Sequence, residues 1–452
     1  MKIPEEPIGH LFYTGHSRFL KSNEHMARAL VAASEHGSIH AAEDICDANG
    51  VKLWARNKLL DEQLLERLRD RPLRKPVELC VAPGDPVRLA AVREEIEQQL
   101  TGSDELGKAL APGLAASIKL IESLVPNPTE LLLYTVMRHS GRRQIEHSAL
   151  VCLLALMMGQ LAGIDTSARR NLARAALLHD IGELYLPERL FAPSSGRRTS
   201  AEIQEIRRHP LLGAQVATEL ARLPTEVGQL IAASHERLDG SGYPFALTVK
   251  KLEPAAQALF FAEAMAPLLG GGVNRLRRAA VASRIGRGEF APAMTNWLNR
   301  CAAVQAASSL APAAASEIDS GLRRVVDRLT RAQALLREPR AQATPVERVA
   351  AAHWLATVDA MIQVLSSTGV LESLQLGIAI EPSDATEAIE LAVLGRELDY
   401  RIGDLRLRVD LERIATPAVA DAAWITELLE ILDPSIAPTQ VAAATADTPT
   451  GR

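Results

Sequence analysis

Five of the eleven histidines in this 452-residue chain fall between positions 139 and 235. The densest chemistry among them is His179–Asp180, which ends an apolar helical run, NLARAALLHDIGE. A neutral imidazole beside a carboxylate at a helix end can hold one divalent ion, and the carboxylate can bridge to a second. Four further positions offer the same kinds of donor: His147, His209 in an HP pair with Pro210, His235, and Glu263. Taken singly, each histidine reads most simply as a core or surface residue, and a His-Asp pair is common by chance. Taken together, each on or at the end of a predicted helix, they are what a helical bundle could aim at one point.

The elements that must position them follow from pattern. From Val87 to about Leu269 the chain is mostly helical by period. Leu150, Leu153, Leu154, Met157 and Leu161 fall on one helical stripe. Thr199 with Glu202 forms a capping box for a helix running into Arg208. Pro210 sits where a new helix can begin, and Pro224–Thr225 starts another that runs into His235. Asp239–Gly240–Ser241–Gly242–Tyr243–Pro244 must be a loop, with two glycines and a proline in six residues. The three glycines 270–272 interrupt the next helix, and residues 275–300 read as helical.

The order of these donors, ending in the string HERLDGSGYP, resembles the HD-GYP family pattern: a first His, then HDIGK, HP, HHExxDGSGYP and a late acidic residue. The resemblance covers roughly residues 129–270. It implies a mainly α fold, a bundle of helices around two or three metals, usually iron or manganese. It also implies hydrolysis of cyclic di-GMP to the linear dinucleotide or to GMP. The ligands it assigns are His147, His179, Asp180, His209, His235 and Glu263, with Asp180 and Glu183 as catalytic candidates. Gly242, Tyr243 and Pro244 are its signature loop and, with Arg275, the substrate-binding candidates. The chemistry agrees, since phosphodiester hydrolysis at neutral pH needs an activated water and a shield for phosphate charge, which a metal pair supplies. Mixed His and carboxylate donors suit iron, manganese or zinc better than magnesium.

The departures from that pattern matter as well. Ser234 stands where the family has the first His of its HH pair, which weakens the second of the two expected divalent-metal sites. Glu183 replaces the lysine of HDIGK; it could ligate metal or act as a general acid if its pKa were raised. Glu263 replaces an aspartate, Ala266 a second aspartate, and Gly272 an arginine. Arg143 stands one turn before His147, where three-metal members carry a glutamate, so no third metal is expected. Arg143 and Glu183 reverse both family charges and are expected to meet at the rim of the site. Two main readings follow: a weak or inactive cyclic di-GMP phosphodiesterase, or a non-catalytic regulator acting through protein–protein contacts. A third, a nucleotidase of the wider HD superfamily, leaves the GYP loop unexplained.

The rest of the chain sets the context. Hydrophobic residues make up 47% and aromatics 4%, which favours packed helices, and a formal charge of −5 gives no case for binding a nucleic-acid polymer. The four cysteines are scattered and suggest neither a zinc ribbon nor a disulfide framework. The N-terminus shows no apolar signal core, and the run Leu150–Ile164 is too short to span a bilayer. A cytoplasmic protein without a membrane segment is expected. Residues 1–38 read as a polar segment and 39–86 as a small mixed α/β module, with an Asn49–Gly50 hairpin turn and extended Pro76–Ala82. Residues 87–128 read as connecting helices, 129–300 as the HD-GYP-like domain, 301–433 as a helical C-terminal region and 434–452 as a disordered tail. Cyclic di-GMP or a related nucleotide is the expected ligand. GGDEF-type or other protein partners, and a homodimer through the C-terminal helices, fit the long helical flanks.

Overall fold

The computed structural model describes residues 19–37, 39–101, 104–139, 144–191, 198–248, 251–270, 274–286, 288–303, 315–340, 343–415 and 422–433. The expected polar segment before residue 19, the tail from 434, Arg143 and Gly272 lie outside the described residues. The fold is mainly α. The chain divides into two compact units, Met1–Ser308 and Ser309–Arg452.

The first unit has one continuous core from Phe19 to Ala302. It opens with α1 (Glu24–Gly37) and four short strands, β1 (His40–Ala41), β2 (Ile45–Cys46), β3 (Lys52–Trp54) and β4 (Val81–Ala82). β1 pairs antiparallel with β4, and β2 with β3. The β2–β3 turn forms because the Asp47 carboxylate accepts 2.9 Å bonds from the N–H groups of Asn49 and Val51. Gly50 supplies the left-handed φ of 83° that this turn requires. α2 (Glu62–Leu68) starts at Asp61, whose side chain accepts from the Gln63 N–H. The expected extension over Pro76–Ala82 is broken by a 3₁₀ turn at Val77–Leu79, entered from Pro76 at φ −49°. Only Val81–Ala82 is strand.

The helical body follows: α3 (Leu89–Leu100), α4 (Asp104–Glu122), α5 (Pro128–His139), α6 (Gln144–Leu161) and α7 (Thr166–Leu178). Then come α8 (Ser200–Ile206), α9 (His209–Gln215), α10 (Thr225–Ala232), α11 (Pro254–Leu269), α12 (Arg275–Ile285) and α13 (Pro292–Ala303). α6 is its axis. The leucine stripe read from the sequence is only part of its apolar surface: every residue from Ser148 to Gly159 is buried, because α3, α4, α5, α7, α11 and α13 pack around it. The single helix expected over 275–300 is two, α12 and α13, separated around Gly288 at φ +86°. An L side chain rarely adopts that conformation, so the helical period breaks there.

The second unit holds α14 (Ala315–Arg337), α15 (Pro345–Ser367), α16 (Val370–Gln375), α17 (Ala385–Ala415) and α18 (Ala423–Ile431). Leu322, Leu329, Trp354, Val358, Leu398 and Ile402 form its core. α15 begins with a capping box, Thr344 with Glu347. Among the described residues, α6 and α15 are long and apolar enough to cross a bilayer. The first is the enclosed axis of the body. The second carries Asp359, bonded to Gln333 and Arg337 of α14.

Candidate metal centre

Each donor reaches the site from an element with its own reason to end or turn there. α7 starts at Asp165, whose carboxylate accepts from the N–H groups of Ser167 and Ala168. Its buried face, Leu172 to Leu178, sinks it into the core, and it delivers His179 at its C-terminal cap, fully buried. Asp180 opens a 3₁₀ turn, Ile181–Tyr185. Gly182 lets that turn lie backbone-to-backbone on the start of α9: a Cβ there would stand 2.0 Å from the His209 carbonyl oxygen. The close approach brings Asp180 to His209. His147 comes from the second turn of α6 and Glu263 from the middle of α11, which packs along α6. His235 follows α10 and begins the GYP loop.

The six side chains converge as two triplets, His147 with His179 and Glu263, and Asp180 with His209 and His235. Within each, the ligand atoms lie within 4.8 Å of one another. Glu263 Oε2 is 2.8 Å from His147 Nε2 and 2.9 Å from His179 Nε2. Asp180 is shared: Oδ2 lies 3.1 Å from His179 Nε2 and 3.7 Å from His147 Nε2, while Oδ1 lies 3.5 Å from His209 Nε2. His209 Nε2 and His235 Nε2 face each other at 2.9 Å. Two rings are oriented from behind, with His179 Nδ1 2.8 Å from the Ala176 carbonyl and His209 Nδ1 2.8 Å from the Ile206 carbonyl. Donation of Nδ1–H to those carbonyls leaves each Nε2 lone pair directed into the site.

The electrostatics divides along the same line. Burial opposes the charged forms of His147 and His179, but the Glu263 and Asp180 carboxylates outweigh it and raise both pKa values, that of His179 strongly. Burial likewise opposes the charged Asp180 and Glu263, and the facing imidazoles hold both below the ordinary carboxylate range. In the other triplet burial dominates. It lowers His209, and with His209 alongside it pushes His235 down to about 3. Those two imidazoles are neutral at physiological pH, the form that ligates a metal.

The donors fit divalent metal on two further observations. His179 Nε2 is buried with no properly directed hydrogen bond, although two carboxylate oxygens lie close by. Both carboxylates approach this one ring nitrogen, at 3.1 and 2.9 Å, as ligands of a common cation would. The His209 and His235 nitrogens likewise face each other across a gap that a proton or a cation must bridge. Four imidazoles and two carboxylates are donors of the iron, manganese and zinc type.

The other expected residues are placed as follows. Glu183 is tied to α6: the Gln144 amide donates to Glu183 Oε2 at 3.0 Å and to the Asp180 carbonyl at 3.3 Å. Its expected partner Arg143 lies outside the described residues. Ser234 is fully buried and its hydroxyl has no hydrogen-bond partner. Ala266 is packed in the core. Arg275 Nη1 donates to the carbonyls of Gln99 and Leu269, at 3.2 and 3.5 Å.

The GYP loop closes over His235. The Tyr243 N–H donates to the His235 carbonyl at 3.0 Å, and the Tyr243 ring stacks on the imidazole. The Arg207 guanidinium carbon lies 4.9 Å from the centre of the tyrosine ring. The Tyr243–Pro244 bond is cis. Gly242 is required by proximity, since a Cβ there would meet Glu236 Cα at 2.4 Å.

Sequence reasoning missed Glu236, Gln144 and Arg207. Glu236 is fully buried, and its carboxylate accepts 2.7 Å bonds from the N–H groups of Phe245 and Leu247. Its position directly after His235, before a loop rich in glycine, was the available signal.

A fold in which several helices and turns gather His and carboxylate donors at a buried centre defines the class of helical, metal-dependent HD domains. A family profile for the HD domain matches residues 132–285. That segment, about a third of the chain, carries the histidines and the GYP loop by which it resembles the HD-GYP family. The chain is 28% identical over 154 residues to a cyclic di-GMP phosphodiesterase of Pseudomonas aeruginosa, covering 34% of this chain and 37% of the relative. It is 26% identical over 216 residues to the cyclic di-GMP phosphodiesterase response regulator RpfG of Xanthomonas campestris pv. campestris, covering 46% and 57%. A 3'3'-cGAMP-specific phosphodiesterase of Vibrio cholerae is 33% identical over 98 residues, covering 22% and 21%. The chain thus spans between about a third and somewhat over half the length of the first two relatives. A solved HDG"Y"P protein of Bdellovibrio bacteriovorus aligns at 20% identity and a TM-score of 0.33, over 59% of this chain and 96% of that one.

Proposed function

We propose that this protein is a cyclic di-GMP-linked signalling protein whose metal centre hydrolyses a phosphodiester bond of a cyclic dinucleotide. The observation that carries this reading is Asp180, which faces His179 and His147 with one oxygen and His209 with the other. A carboxylate so shared suits a pair of divalent ions, iron or manganese by donor type. When bound, such ions supply Lewis acidity and charge neutralisation for phosphodiester hydrolysis.

The chain's own residues do the remaining work in this proposal. Buried carbonyls fix the His179 and His209 rings. Gly242 and Glu236 seat the GYP loop, so that Tyr243 and Pro244 border the centre on the His235 side. Glu183, held by Gln144 on the turn after Asp180, is the proposed proton donor to the leaving oxygen. Arg275, bonded to main-chain carbonyls, is proposed to shape the wall at the end of α11 and to contact substrate only indirectly.

A second reading, a metal- or nucleotide-binding regulator without turnover, is favoured by Ser234, a buried hydroxyl without a partner next to His235. In that reading GGDEF-type or other proteins, or a second copy meeting through the C-terminal helices, are the proposed partners. Metal analysis of the purified chain, with hydrolysis of cyclic di-GMP and 3'3'-cGAMP assayed in added manganese or ferrous iron, separates the two. Bound metal with turnover that Asp180→Asn abolishes supports the enzyme. Bound metal and nucleotide without turnover supports the regulator. Absence of stoichiometric metal overturns the enzyme, and absence of both metal and nucleotide binding overturns the regulator.

A further inference from the structure

In the second unit a cavity of about 530 Å³ lies between α14, α17 and α18. Its volume is within the range of small-molecule sites. Ile318, Leu322, Val325 and Leu391 give it apolar walls, and Arg324, Arg328 and Arg396 reach it from two helices.

Arg328 is the anomaly. Its side chain is only 6% exposed. One nitrogen, Nη2, bonds to Asp399, while Nε and Nη1 are buried with no hydrogen-bond partner. A buried guanidinium is costly unless its donors are satisfied. Asp399 is itself half exposed, so it neutralises this charge poorly. The other internal carboxylate, Asp327, pairs with Arg331 at 3.4 Å. Arg324, Arg396, Glu317 and Glu430 also line it and are exposed.

A second observation is independent of charge. Two helix-interior glycines, Gly321 of α14 and Gly395 of α17, line the same cavity. Glycine is the poorest helix former after proline. Neither is demanded by crowding: a Cβ at Gly321 would meet nothing nearer than Arg324 Nη2 at 3.9 Å, and one at Gly395 nothing nearer than Leu322 Cδ2 at 3.5 Å. Ordinary side chains would fill the space and strengthen both helices, yet the space is left open beside an under-bonded arginine.

We propose that this cavity binds a small organic anion, a carboxylate or phosphate on an apolar body, with Arg328 as its anchor. The anion competes with Asp399 for the guanidinium, and the body occupies the space that Gly321 and Gly395 leave. The proposal is independent of the phosphodiesterase reading.

Titration calorimetry on the full chain tests it with four probes: benzoate and hexanoate for the carboxylates, GMP and AMP for the phosphates. Saturable binding within one pair identifies the head group. Arg328→Met should weaken that binding about tenfold, the loss of a charged hydrogen bond. Asp399→Asn should tighten it by removing the competitor, a change that a purely structural Arg328–Asp399 pair would not produce. Gly321→Leu should block binding while helicity and melting temperature are kept, so the test stands even where Arg328→Met fails to fold. Absence of saturable binding by all four probes overturns the proposal. So does binding that Gly321→Leu and Asp399→Asn both leave unchanged.

Discussion

The phenol ring of Tyr243 lies flat on the imidazole of His235, with ring centroids 4.8 Å apart and planes 9° from parallel. The Tyr243 ring therefore holds the His235 imidazole, a proposed metal ligand, in place. Tyr243→Ala frees the His235 ring and opens it to water, and is expected to lower metal content toward one ion per chain. Tyr243→Phe preserves the stack and should keep the metal. Elemental analysis after gel filtration reads the difference. Equal loss in both variants would assign the effect to the hydroxyl instead of the ring.

The loop that carries Tyr243 is held by Glu236, a buried carboxylate with two main-chain donors. Glu236→Gln keeps the shape but turns an amide NH₂ toward one of those donors. The cost of one buried, unsatisfied pair is about 1–3 kcal/mol. Urea unfolding is expected to show that loss, and limited proteolysis should become faster within 240–248. Unchanged stability would mean that the loop is seated by the glycine contacts alone.

Ser234 invites two substitutions with opposite outcomes. Its hydroxyl is buried without a partner, so Ser234→Ala should leave stability equal or raise it by up to about 1 kcal/mol. Ser234→His adds a donor beside His235 but must fit an imidazole where no solvent-accessible space remains. Overpacking of this kind costs about 1–3 kcal/mol. The expected result is a lower melting temperature in the apo protein together with tighter metal retention against a chelator. A lower melting temperature without better retention would show that the new ring does not reach the centre.

Local rules made some of this structure legible. The Thr199–Glu202 capping box and the Asn49–Gly50 turn need only neighbouring residues, and both are present. The helices and turns that carry the histidines followed from period and from breakers such as Pro224 and Gly242. What stayed hidden is tertiary. Gln144 was silent because its meaning depends on Glu183, 39 residues away. α6 showed one stripe but is buried all round, since period alone cannot reveal how many helices surround it. The split near Gly288 was legible, since Gly286, Gly288 and Pro292 are breakers within seven residues, and reading 275–300 as helical passed over them. Arg275 was matched to a basic position by spacing, whereas the carbonyls it bonds are set by the ends of α3 and α11.

The N-terminal part of the chain meets the turn after Asp180 at Tyr185, whose Oη donates to Glu78 Oε1 at 3.0 Å and whose carbonyl accepts from the Asn23 amide at 3.1 Å. Glu78 is buried, and its second oxygen has no hydrogen-bond partner. Burial raises its pKa, with a backbone contact and the Tyr185 hydrogen bond pulling the other way. The folded value therefore lies above the unfolded one, near 4.3. A group of this sign contributes stability that is fully present below about pH 4.3 and is lost as pH rises through the folded value. Each tenfold difference in proton affinity between folded and unfolded chain corresponds to about 1.4 kcal/mol. Glu78→Gln mimics the protonated form at every pH and keeps an acceptor for Tyr185. It is expected to match the wild type near pH 4 and to exceed it increasingly as pH rises above the ordinary carboxylate range. Chemical unfolding of both proteins across that window reads the gap. Parallel profiles would show that Glu78 stays charged in the folded chain, with its free oxygen hydrated.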